Sequence, residues 1–394
     1  MKTELGLLVF CSCVFSTIAL EVINQWNFLS FDFPSDANTA DFKPENTIFT
    51  GMEVTDDRIF LAIPSLRAGV PAALVTIPKN TPAGSSPALQ AYPDWSYHRA
   101  GNANLTCDGL ISVYRIRTDS CNRLWVLDAG VMTSIDAFTR ICPAKLVAFD
   151  LETNKPVRKI ILPESVLRPA SALTNLVVDE TVQGKCDSAF FYLTDTTTPG
   201  LVVYDGKKEQ AWRFSHPTMY PNPDSAFYDI AGDKFSFMDG IIGLAHSPQT
   251  ATLFFQPMAT ESIFSVPTAA LTKGPPGELD VLPVSLVGRK SSQGLALALN
   301  PEDNTLFFAP FSDTSVASWN VVTNEQRLLA HDPINLQFTA ELRWKEDGSL
   351  WILSSRFHRF FKRTVTPNEI NLRIMRIKFA RPVFPHQALS NFYF

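Results

Sequence analysis

One short phrase returns along this chain: "DDRIFLAIP" from Asp56, "DSCNRLWVLDAG" from Asp119, "CDSAFFYLTD" from Cys186, "PQTATLFFQP" from Pro248, "PEDNTLFFAP" from Pro301 and "EDGSLWILSS" from Glu346. Each is a polar turn leading into a short apolar, aromatic-rich strand. Another strand precedes each one: "GMEV" at Gly51, "GLISVYRI" at Gly109, "NLVVDE" at Asn175, "GIIGLAHS" at Gly240, "GLALALN" at Gly294 and "AELRWKE" at Ala340. A third follows, as in "KLVAFDLET" and "GLVVYDGKK", and some units carry a weaker fourth, as in "KPVRKIILP" and "EQAWRFS". Short strands set between Gly, Asp, Asn and Pro turns, without sustained helical periodicity, predict an all-β chain. A unit of three or four antiparallel strands cannot bury both faces by itself, so six in succession are expected to stack around an axis as a six-bladed β-propeller in a single domain. A β-sandwich does not require the phrase to return six times.

The first residues, "MKTELGLLVFCSCVFSTIALEV", have a Lys, an apolar stretch and then small residues, the layout of a secretory signal over 1–19 with cleavage near Ala19. The propeller is then expected over 20–394, in a secreted, extracellular protein. No later segment is apolar enough for a membrane helix. Lys and Arg number 34 against 39 Asp and Glu, with no long run of one sign. Nucleic acid and membrane surfaces are therefore not expected partners.

Cys107, Cys121, Cys142 and Cys186 remain after the signal, an even set in an oxidising compartment, and they lack the close spacing of a zinc site. In a propeller blade the first and third strands start on one face of the disc and the second on the other. Cys107 precedes a first strand and Cys142 a third, while Cys121 and Cys186 each open a second. Parity therefore predicts the bridges Cys107–Cys142 and Cys121–Cys186. The sequon Asn104-Leu105-Thr106 predicts a glycan.

Loops entering the innermost strands and leaving the second strands meet on one face around the channel. The first set reads Glu53, Asp108, Asn175, Asp239, Gln293 and Thr339; the second includes Asp128, Asp195, Gln256 and Ser355, with Phe357 just beyond. Oxygens converging there can take a hard cation, hold an ammonium group, or act as base and acid. The competing reading is that Asp and Asn sit there to cap turns. Phe338 and Phe357 flank the mouth, where their rings either pack or face a flat ligand. The six His are scattered, with no metal-binding spacing, and no nucleotide loop or nucleophile-elbow pattern occurs. No metal and no organic cofactor is expected.

The phrases "CDGLISVYRIRTDSCNRLWVLDAG", "KLVAFDLET", "FFYLTDTTTPGLVVYD", "HPTMYPNP", "DGIIGLAHSP", "LFFAPFSDTSVASWN" and "PNEINLRI" resemble the insect Yellow and major royal jelly protein family, from about Trp26 to Phe379. The resemblance implies a secreted six-bladed propeller, and a family of pigmentation proteins, dopachrome-converting enzymes, amine-binding salivary proteins and nutrients that shares a fold more securely than an activity. Matched to the amine-binding members, Thr339 and the "SSRF" segment, with Ser355 and Phe357, become ligand positions, although Ser355 replaces an Asn and reaches less far. Three readings follow. The first is an isomerase that moves a proton on dopachrome or a related oxidised catecholamine, with Asp108, Asp239 or Asp195 as base. The second is a non-catalytic binder of a small aromatic amine or catecholamine-derived ligand, using Thr339, Ser355, Phe357, Phe338, Asn175 and Gln293. The third is a structural role in cuticle. A calcium-dependent lactonase is a more distant alternative.

Overall fold

A computed structural model describes residues 19–37, 39–101, 106–180 and 184–379. Asn104 and residues 1–18 of the expected signal lie outside the described residues.

Six four-stranded antiparallel sheets form the blades. Blade 1 runs from the axis outwards through Gly51–Val54, Arg58–Ala62, Leu74–Pro78 and Gln90–Ala91. Blade 2 contains Val113–Thr118, Arg123–Asp128, Lys145–Asp150 and Pro156–Ile161. Blade 3 contains Leu173–Asp179, Phe190–Asp195, Gly200–Asp205 and Gln210–Phe214. Blade 4 contains Ile241–Ser247, Thr252–Pro257, Ser262–Pro267 and Ser285–Arg289. Blade 5 contains Leu297–Asn300, Thr305–Phe308, Ser315–Asn320 and Glu325–His331. Blade 6 contains Phe338–Lys345, Ser349–Ser355 and Leu372–Lys378, and its fourth strand is Leu20–Trp26 from the other end of the chain. Each innermost strand contacts those of both neighbouring blades, and the sixth contacts the first, so the ring is closed.

The burial pattern follows from this stacking. Second strands lie between two neighbouring blades and read as continuous apolar runs; every residue of Ser349–Ser355 is buried. Fourth strands face solvent, and Glu325–His331 is exposed over most of its length. Asn122, Asn154, Asn304 and Asn324 take the left-handed backbone conformation in the turns, at φ 57° to 59°, which Asn tolerates better than most side chains.

Four innermost strands carry a β-bulge at the same level. Two residues face one partner at Tyr114 in blade 2, Thr174 in blade 3, Ile242 in blade 4 and Ala340 in blade 6. A bulge bends the strand and re-aims the extra residue. Here it is the step that opens the channel.

The disulfides are Cys107–Cys142 and Cys121–Cys186, with Cα separations of 5.5 and 6.3 Å, as strand parity predicts. The second ties blade 2 to the first turn of blade 3. No helix among the described residues is long and apolar enough to cross a membrane.

The Cys121–Cys186 bridge closes a segment of 65 residues. Replacing both cysteines by Ser should lower unfolding free energy by roughly 4 kcal/mol, read from chemical denaturation, with the remaining bridge intact.

Candidate functional site

A cavity of about 370 Å³ occupies the channel where the innermost strands begin. Each blade supplies a residue to its wall: Thr50, Tyr114, Thr174, Ile242, Leu295 and Ala340, of which four are the bulged residues. Aromatic rings cover one side. Phe338 stacks on Phe311 at 4.3 Å and on Phe357 at 4.8 Å, while Phe237 meets Phe361 edge-on at 4.8 Å. Phe357 opens the short helix Phe357–Phe361 directly after the second strand of blade 6. That helix is pinned from outside by Asp233, which accepts from Arg359 at 2.8 Å and Lys362 at 2.7 Å. Burial opposes ionisation of Asp233, but the two cations win and hold its pKa at about 2.

Two charged side chains line this cavity, Asp239 and Arg115. Arg115 is committed: it pairs with Glu341 and donates to the Thr50 carbonyl at 2.8 Å. Asp239 stands just before the innermost strand of blade 4, where its carbonyl accepts from the Ala259 amide at 3.2 Å. Its half-buried carboxylate has no hydrogen-bond or ion-pair partner among the described residues. Burial raises its pKa from 3.8 to about 7. The Tyr114 hydroxyl pairs with Ser134 Oγ at 2.8 Å, and burial, reinforced by the charge of Asp239, pushes its pKa to about 12. Ser355 also lines the cavity, and its buried hydroxyl lacks a hydrogen-bond partner among the described residues. Thr339 is buried in the adjacent strand opposite Ser354, its hydroxyl also without a partner among the described residues.

The expectation that the acids share one rim requires correction. Asp108 is exposed and pairs with Lys159 of the outermost strand of blade 2 at 2.6 Å, because the innermost strand starts only at Val113 and leaves Asp108 in the preceding loop. Asp195 is fully buried and turned into its own blade, accepting from Ser171 Oγ, from Thr198 Oγ1 at 2.6 Å, from the Ala172 amide at 3.2 Å and from Arg213 at 2.8 Å. Asp128 does the same in blade 2, accepting from the Ile111 and Ser112 amides at 2.9 Å and pairing with Lys145 at 2.9 Å. Asn175 lies deeper in the channel, accepting from Arg117 at 3.2 Å and donating to the Ile242 carbonyl at 2.6 Å. Gln293 donates to the carbonyls of Ser225 and Phe227, anchoring the hairpin Phe227–Ile230/Asp233–Ser236 beside the mouth. Of the expected positions, Asp239, Ser355, Phe357 and Phe338 line the cavity together. Tyr114, Arg115, Ser134 and Phe237 were not anticipated. Phe237, two residues before Asp239, had a sequence signal; the bulge that exposes Tyr114 had none.

The major royal jelly protein family profile matches residues 111–383. The chain belongs to this family. This member is 28% identical over 384 residues to the dopaminechrome tautomerase of Drosophila melanogaster, an alignment covering 91% of this chain and 81% of the other. It is 30% identical over 369 residues to protein yellow of Drosophila guanche, covering 89% of this chain and 64% of that one. This royal jelly family member thus spans slightly less than two thirds of that yellow protein. Among solved structures it is similar to a virginiamycin B lyase from Staphylococcus aureus at 10% identity and a TM-score of 0.45, covering 79% of each chain; a likeness so low carries no inference.

The burial contrast between two acids gives a test. Asp195→Asn removes the charge facing buried Arg213 and should destabilise the fold by roughly 3 kcal/mol or more in chemical denaturation. Asp108→Asn should leave the melting temperature unchanged.

Proposed function

We propose that this protein is a secreted tautomerase of pigment chemistry, converting an indoline quinone formed from a catecholamine into the dihydroxyindole, with Asp239 as the proton-transferring group. One observation carries this reading: an unpaired carboxylate with a pKa of about 7 faces a cavity walled by stacked phenylalanines. A general acid–base group works best near the operating pH. The name of the Drosophila relative, dopaminechrome tautomerase, supports the same substrate class. Signal cleavage near Ala19 would leave the mature chain starting at the strand that closes blade 6.

The reaction leaves the molecular formula unchanged. Ring carbons 2 and 3 each lose a proton, the electron pairs move through the conjugated ring, and both quinone oxygens become hydroxyls. Asp239, ionised, accepts one carbon-bound proton at a time and, now neutral, returns each to a quinone oxygen, directly or through water. Tyr114 and Ser355 offer hydroxyls to a quinone oxygen, where negative charge develops. The phenylalanine faces hold the flat ring over the carboxylate. Arg115 is engaged by the Thr50 carbonyl and by Glu341, which it shares with Arg117, and is not held open for a substrate carboxylate. Dopaminechrome, which lacks one, should therefore be turned over faster than dopachrome.

The same carboxylate and rings also suit an aromatic ammonium ligand that is bound without turnover. The two readings separate by kinetics. Asp239→Asn should reduce the acceleration of dopaminechrome loss roughly a hundredfold or more, and the wild-type rate should rise with pH through about 7. A rate equal to the spontaneous one, with saturable dopamine binding, would leave the binding reading in place.

Stability carries an independent sign. The folded-state pKa of Asp239 lies above its ordinary value, so the ionised form is disfavoured in the folded protein, and stability falls as pH rises from about 4 to about 7. The melting temperature of Asp239→Asn should exceed that of the wild type above pH 7, and the difference should vanish near pH 4.

A further inference from the structure

The channel has a second chamber. Below Arg115 and Glu341 a cavity of about 560 Å³ opens to the opposite face of the disc. Its walls are divided by chemistry. Blades 3, 4 and 5 present Val177, Leu244, Leu297 and Leu299, whereas Arg117, Arg343 and Lys345 line the side formed by blades 2 and 6. Glu53 of blade 1 is fully buried beside them, paired with Arg343 at 2.6 Å and Lys345 at 3.6 Å.

The deep charges do not balance. Glu341 is shared by Arg115 and Arg117, and Glu53 by Arg343 and Lys345, so four cations meet two carboxylates. Arg343 also keeps a buried Nε without an acceptor among the described residues. His246, on the apolar side, faces Asp179, a third buried carboxylate, at 3.6 Å, so the count is four cations to three carboxylates and the positive charge remains in excess. Asp56, Glu346 and Asp347 lie at the rim, but they are exposed. Water and salt screen exposed rim charges far more than the excess at the channel waist.

We propose that the lower chamber is a binding site for a small organic acid with an apolar body. Its carboxylate sits on Arg343, Lys345 and Arg117, and its hydrocarbon or ring lies on the wall of blades 3 to 5. The acid supplies the charge missing from the waist, and the apolar wall distinguishes it from inorganic anions. This site is independent of the chemistry assigned to the upper cavity.

The test is calorimetric titration of the full chain with 4-phenylbutyrate, its neutral amide and inorganic phosphate. The acid should bind saturably, and at least about tenfold more tightly than the amide or phosphate, the factor expected for a charge-assisted contact. Arg343→Gln and Lys345→Gln should each weaken the acid by a similar factor, while Phe357→Ala in the upper cavity should not. Lys345→Gln leaves Arg343 on Glu53 and so remains informative if Arg343→Gln fails to fold. Equal affinity for acid and amide, no heat from the acid at millimolar concentration, or unchanged binding in Lys345→Gln would overturn the proposal. Binding lost in Phe357→Ala would move the ligand to the upper cavity and overturn it equally.

Discussion

The charged waist of the channel organises everything above and below it. Arg115 and Arg117 of blade 2 reach across to Glu341 of blade 6, and Glu53 of blade 1 receives Arg343 from blade 6. All but Arg343 are buried. Removing such charges from water costs several kcal/mol per ion, so these pairs add little net stability beside an apolar alternative, yet breaking one leaves an uncompensated charge inside. Their effect falls on register. Blade 6 is completed by the strand Leu20–Trp26 from the other end of the chain, and a shift of one residue in Phe338–Lys345 would turn Glu341 and Arg343 away from the axis. The ring closes in the arrangement where these charges meet.

The waist also divides one channel into two environments. On the upper side Glu341 and the Thr50 carbonyl engage Arg115, leaving Asp239 as an acid with no ion-pair partner among the described residues in a chamber of rings and small hydroxyls. That isolation raises the pKa of Asp239, since burial acts on it unopposed. Asp233, a short distance along the chain, shows the opposite outcome, because Arg359 and Lys362 outweigh its burial. The two residues are chemically identical, and the cations around them decide which holds the helix of Phe357 and which is free to exchange a proton.

The repeat made most of the fold legible. Six returns of a turn-plus-strand phrase determined the blade count, and the up-and-down order of strands paired the four cysteines. The strand Leu20–Trp26 was less visible, because it lies next to the signal-like segment and pairs with residues more than three hundred positions away. The bulges at Tyr114, Thr174, Ile242 and Ala340 were not legible at all. A bulge is a mismatch between two strands, and neither strand shows it alone. Asp108 belongs to an outer loop for a separate reason: the innermost strand of blade 2 begins only at Val113, so the residues from Gly109 to Ser112 extend the loop rather than the strand.

Positions at the end of the second strand show how the repeat and the site divide the work. In blade 2 Asp128 binds backbone amides and Lys145; in blade 3 Asp195 binds two amides, two hydroxyls and Arg213; in blade 4 Gln256 accepts from Lys290 at 2.6 Å. Each pairs a buried acceptor with a cation from an outer strand or the loop just beyond it. In blade 4 the acceptor is neutral, and burial brings the Lys290 pKa down to about 7. Blade 6 lacks such a pair: Ser355 has no partner among the described residues, and the chain continues into the helix that carries Phe357. In blades 2, 3 and 4 that pair occupies the end of the second strand and leaves nothing there for a ligand. Blades 1 and 5 lack the pair too, with Pro64 and Pro310 just past the second strand, but in blade 6 its place is taken by the Ser355 hydroxyl and the Phe357 ring, which line the cavity.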